Sequence, residues 1–330
     1  MLRRLGWPDA SNGVPVTWRA WRLTFAMHGV VLWLLAGAAV LLLIGSELVA
    51  WQTNETRLAF VACMQRAGEG SDACRGFDLN GLNQWAIIGK LSAQWMPLVL
   101  GLFLGVPVVA REIEGQTAPI AWALDPSRRR WLVQRGAPVL AVVVVAGVLI
   151  GIGGEALSNT DPFGGHPLGA GFTDYGSRLG QVPVRAVGVL VLAVAIGALV
   201  PRQLPALLLS GITSLVLFAV LTLGVGAWMQ ADAEPIIGVD HAYASGARIF
   251  DQAYRNDATG EVVTVSDYYA LHGDIAMPEE QTPPGYTAVA LGIPGEKYGL
   301  WVLRESAVVV ALSLLVGTAT VVLVQRRRPA

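Results

Sequence analysis

Six long apolar runs decide what this chain can fold into. Residues 30–50, 91–110, 136–157, 184–200, 204–229 and 300–325 each approach or exceed the length needed to cross a bilayer as a helix, about 20 residues at roughly 1.5 Å rise each. In lipid the backbone polar groups must be satisfied internally, and a helix does this within one segment. Composition agrees: 54% of residues are hydrophobic and 14% charged, against about a quarter charged in soluble domains. The fourth run is short and gives way to PRQLP, which reads as a tight turn into the fifth. The first is too long for a signal-peptide core, and no small-residue cleavage site follows before Trp51, so it reads as a retained anchor.

Arginine placement orients the runs. Arg3, Arg4, Arg19 and Arg22 precede the first span, and Arg111, Arg128, Arg129, Arg130 and Arg135 lie between the second and third. Arg202 follows the fourth, and Arg326, Arg327 and Arg328 come after the last. With six spans all of these share one face, predicting cytoplasmic N- and C-termini. The opposite connections are 51–90, 158–183 and 230–299, and the last holds eleven Asp/Glu against Arg248, Arg255 and Lys297. Its turns TPPGY and IPGEKYG and the alternating GEVVTVSDY suggest a small helix-and-hairpin cap. Arginine outnumbers lysine 21 to 2, a bias that suggests a GC-rich bacterial genome, hence a bacterial cytoplasmic membrane. The chain therefore divides into a cytoplasmic segment (1–29), spans one to five (30–229), an extracytoplasmic segment (230–299), and the last span with a basic tail (300–330).

The chemistry-bearing motifs are few. No GxxxxGK[ST] loop, GxSxG elbow or HExxH pair occurs, so neither a nucleotide cradle nor a hydrolase site is expected. His28, His166, His241 and His272 are scattered, and His241 beside Asp240 reads as part of a water-facing loop rather than a metal site. No cofactor, metal or nucleic acid is implied, and the chain is not expected to be an enzyme. Glu47, Lys90, Glu155, Arg185, Arg304 and Glu305 fall near outer span ends, where side chains snorkel or pair. The middle of every span lacks Asp, Glu, Lys, Arg and His, which speaks against an ion-coupled carrier.

Cys63 and Cys74 are the only cysteines and share the first outer connection. Outside the cytoplasm they are expected to form a disulfide around ten intervening residues; two reduced, buried thiols are the alternative. In PVTWRAWRLTF, Trp18 and Trp21 alternate with Arg19 and Arg22. That spacing suits a helix lying in the membrane interface, or an aromatic belt leading into the first span.

The connection 111–131 is the one substantial link between spans on the basic face. Gly115 breaks the second span after Glu112 and Glu114, and Thr117 is placed to cap a short apolar-faced helix, APIAWAL, stopped by Asp125-Pro126. Ile120, Trp122 and Leu124 would be out of place in a bare linker. Either something docks on them or they pack under the bundle.

These residues carry a resemblance. The pattern Gly101, Phe103, Gly105, Pro107, Ala110, Arg111, Glu112, Glu114 and Thr117 is continued by Ala121, Trp122, Arg128, Arg130 and Trp131. It resembles the six-span type-2 permease subunits of ABC exporters. The WRAWR start, the two-cysteine outer loop and the EKYGLWVLRE entrance to the last span with Glu305 extend the likeness over nearly the whole chain. Departures are Gly115 one place early, Gln116 before Thr117, Ala123-Leu124 after Trp122, and a longer 230–299 segment. The resemblance implies an all-α membrane protein with an N-terminal interface helix and a coupling helix at 111–131. That element would insert into a partner ATPase through Arg111, Glu112, Glu114, Thr117, Trp122, Arg128 and Arg130. Glu112 and Glu114 would meet basic or helix-N-terminal surface, with Trp122 as buried anchor. Two ATPase copies would carry ATP and Mg²⁺. A second permease copy or paralogue would complete a path lined by the first, second and fifth spans, with Gly101, Gly105, Ser210, Gly211, Ser214 and Gly224 allowing close approach. The alternative is a non-transporting membrane subunit that acts on an envelope partner through 230–299.

Overall fold

The computed structural model describes residues 16–67, 74–117, 127–160, 171–172, 174–272 and 282–326. Its long helices are α1 (Val16–Ala67), α2 (Leu79–Glu114), α3 (Arg128–Ser158), α4 (Val182–Leu199) and α5 (Gln203–Ala231). A small sheet unit follows: β1 (Glu234–Ile237), α6 (Val239–Ala244), β2 (Arg248–Asn256), β3 (Val262–Thr264), α7 (Val265–His272) and β4 (Tyr286–Ile293). A 3₁₀ turn at Gly295–Lys297 leads into α8 (Tyr298–Arg326). Among the described residues, six helices are long and apolar enough to cross a membrane.

Local chemistry fixes the ends of these helices. Asp78 caps α2 by accepting from the Gly81 N–H at 2.8 Å, and Ser127 caps α3 by accepting from the Arg130 N–H at 3.1 Å, each satisfying an otherwise orphaned donor. Pro97 and Pro107 lie inside α2 and Pro138 inside α3; neighbouring helices make such residues tolerable in a bundle. Helix α4 is the hub, packing on α2, α3, α5 and α8. Its buried face carries Ala186, Val189, Leu190 and Ala193.

The α2–α4 seam is unusually close. A Cβ at Gly101 would sit 2.6 Å from Val189 Cβ, and one at Gly105 would sit 2.7 Å from Ala193 Cβ. These two glycines, expected to line a path between copies, instead close a seam inside the chain. Ser210 and Ser214 are fully buried on α5, where Gly211 approaches Leu102 of α2, while Gly224 has open space around it.

The outer connections depart from the sequence expectation. The 51–90 stretch is largely helical, because α1 runs on to Ala67 and α2 begins at Leu79. At 52 residues, α1 is about 78 Å long, more than twice the hydrocarbon thickness of roughly 30 Å. Apolar runs report membrane contact, not helix length, which explains the shortfall. Cys63 and Cys74 are joined by a disulfide with Cα atoms 5.9 Å apart. Phe60 and Phe77 meet edge to face beside it at 6.0 Å. At the other end α1 is continuous from Val16, so Trp18, Arg19, Trp21 and Arg22 belong to the same helix as the first span; their side chains lie outside the described set.

Between α5 and α8, where a small mixed helix-and-hairpin segment was expected, four antiparallel strands in the order β1-β4-β2-β3 form the cap. It is longer and more regular than a hairpin: β2 pairs with β4 from Arg248–Ile293 to Asn256–Tyr286, with an irregularity between Ile249 and Asp251.

A candidate coupling site at the basic face

Where α2 ends and α3 begins, charged side chains tie four helix ends together. Glu112, in the last turn of α2, is 4% exposed and pairs with Arg135 of α3 at 3.0 Å. A buried carboxylate without its cation is costly, so the pair fixes the spacing of the two helices. Two residues on, Glu114 accepts from the Gln203 N–H at 2.9 Å, where a negative charge meets the positive end of α5. Arg128 donates to the carbonyls of Val324 and Gln325 at 3.4 and 3.2 Å, a cation on the negative end of α8. Thr117 folds back: its N–H and hydroxyl both donate to the Glu112 carbonyl, at 3.0 and 3.2 Å.

The structure thus engages Glu112 and Glu114 within the chain, on a basic side chain and a helix N-terminus. Those are the kinds of surface expected on a partner. Arg111, Arg129 and Arg130 point outward and are exposed. Residues 118–126, which hold Trp122 and the proposed short helix, lie outside the described residues. Arg135, Ser127 and Gln203 are the contributors that sequence reasoning missed. Arg135 was legible only as one positive charge among several, since nothing local marks its partner 23 residues away.

A second polar network closes the opposite face. Arg185 of α4 reaches Glu305 of α8 through Nε at 2.7 Å and Nη2 at 2.6 Å. Both side chains are almost fully buried, at 9% and 3% exposure. Arg178 pairs with Glu155, donates to the Gly171 carbonyl at 2.7 Å and lies 4.5 Å over the Tyr298 ring. Tyr298 donates to Gln181 Oε1 at 3.3 Å, and Tyr175 donates to the Trp301 carbonyl at 3.3 Å. Burial first, and then the Glu305 charge, push the Tyr175 phenol up. Lys90–Asp174 at 2.5 Å and Arg304–Asp232 at 2.8 Å complete the ring. The charged residues near outer span ends thus largely pair with one another or with the loops above. Phe172 links this network to the sheet unit, its N–H donating to the Gly246 carbonyl at 2.8 Å and its ring packing with Met229, Ile293 and Trp301.

Six apolar helices, charge confined to two faces and a charged tie between α2 and α3 define a multi-pass helical membrane protein built like a permease. Residues 31–230 match the family model described as ABC-2 membrane transporter related, and the chain belongs to that family. Membership implies the role of an ABC permease and, in general terms, an ABC ATPase as partner. The match stops at the end of α5, leaving the sheet unit and α8 outside it. No curated protein and no solved structure matches the chain.

Proposed function

We propose that the chain is the permease subunit of an ATP-driven exporter in a bacterial cytoplasmic membrane. It works as a dimer of six-span units with two separate ATPases, its basic face and both termini cytoplasmic. ATP and Mg²⁺ act on the ATPase, and this chain catalyses nothing itself. The observation that carries the reading is the tie at the basic face. Glu112–Arg135, Glu114 on α5 and Arg128 on α8 make the ends of four helices one mechanical unit around the 115–127 connection. A push on that connection is therefore passed to α2, α3, α5 and α8 together, which is what ATP-driven domain closure needs in order to move a bundle. The exposed Arg129 and Arg130, with Trp122, would meet the ATPase.

The test is purification of the tagged chain from native membranes as wild type and as an Arg111→Glu, Trp122→Ala variant. The reading expects a P-loop subunit to co-purify with the wild type, with ATP hydrolysis in the sample, and both to fall away in the variant. Full retention by a folded variant would sink the coupling assignment.

The ordered sheet unit, bound to the bundle through Phe172, Tyr298 and Lys297–Glu234 at 2.6 Å, favours a second reading. In it a non-transporting subunit acts on an envelope partner through residues 230–299. Loss of an envelope phenotype on deletion of the sheet unit, with ATPase assembly intact and no transport detectable, would select it.

A further inference from the structure

On the lipid side of α4 and α8 lies an open groove of about 1080 Å³. Leu199, Leu315, Ala319, Val322 and Leu323 line it, and Arg326 stands at its basic-face end. Its lining includes the small side chains of Ala198 and Ala319, and the Thr318 hydroxyl is already satisfied by the Leu314 carbonyl at 2.7 Å. The groove therefore asks for an apolar occupant along its length and an anion at one end. Its α8 wall runs from Leu314 to Arg326, a rise of about 18 Å. That matches one leaflet of hydrocarbon, about half of the roughly 30 Å core. A basic side chain at that level sits among headgroup phosphates. Arg202, exposed at the start of α5, follows Leu199 by three residues and so lies within about 11 Å of it, close enough to add to the same field.

We propose that this groove is a binding site for an anionic phospholipid of the basic-face leaflet. One acyl chain lies along α4 and α8, and the phosphate is held at Arg326. The inference needs only the membrane-spanning architecture. It does not depend on the ATPase or on the direction of transport.

The experiment titrates the delipidated, detergent-purified full chain with palmitoyl-oleoyl phosphatidylglycerol or palmitoyl-oleoyl phosphatidylcholine and counts bound lipid by native mass spectrometry. The wild type is expected to prefer phosphatidylglycerol about fivefold, the size of effect one arginine near headgroup level supports. Arg326→Gln should clearly reduce that preference, any remainder reflecting the Arg202 field, while leaving phosphatidylcholine occupancy unchanged. Ala319→Trp should lower occupancy by both lipids, with Leu315→Phe replacing it if circular dichroism shows lost helix. Glycerol phosphate, a headgroup without chains, should compete poorly. Equal retention of both lipids by the wild type, an undiminished preference in Arg326→Gln, or full competition by glycerol phosphate would each overturn the site. So would efficient crosslinking between copies through Ala319→Cys in native membranes, which would make the groove a protein–protein seam.

Discussion

The two faces of the bundle both rely on buried ion pairs, yet they use them differently. On the sheet face Arg185–Glu305 is sealed, the neighbouring Glu155–Arg178 pair is capped by Tyr298, and the network continues into an ordered unit above. On the basic face one pair, Glu112–Arg135, is buried, and near it Arg129 and Arg130 are exposed. The first arrangement joins elements for good. The second joins helix ends while keeping charge available to something outside.

Removing half of the sealed pair should have the largest effect. Glu305→Ala leaves a buried guanidinium uncompensated and is expected to cost about 3–5 kcal/mol, read as a lower thermal midpoint in detergent. Glu112→Ala should cost somewhat less, about 3 kcal/mol, because Arg135 at 19% exposure can turn toward water. A charge-swapped Glu112→Arg, Arg135→Glu double variant should regain part of that loss. If the basic-face variant proved the more damaging of the two, the contrast between the faces would be reversed. Cys63→Ser opens a loop of ten intervening residues and should cost about 2–3 kcal/mol. Its midpoint should fall to that of the wild type under reductant, with any ATPase co-purification unchanged. The smallest effect belongs to Lys297→Ala. Its pair with Glu234 is well exposed at 38% and 45%, so a change below about 1 kcal/mol is expected.

Much of this plan was legible in the sequence. Hydropathy located six crossings, arginine placement separated two faces, and 111–117 stood out as a charged stop. Pairings across long separations were not legible. Arg185 and Glu305 lie 120 residues apart, and each looked like one more charge near a span end. Gly101 and Gly105 were recognised as small residues that permit close approach, but spacing alone does not say which helix approaches. The sheet was only partly foreseen, since β3 is three residues long and hands directly to α7.

Helix α1 has a further consequence. Ser46 packs beside Gly153 of α3, near the level where the outer charges gather, and the helix then continues unbroken to Ala67. That leaves a rigid lever about 30 Å long beyond the membrane, linked near its tip to the start of α2 by Cys63–Cys74. A tilt of about 10° at the membrane surface would sweep the tip through about 5 Å, enough for a small rearrangement among the helices to be felt well outside the bilayer.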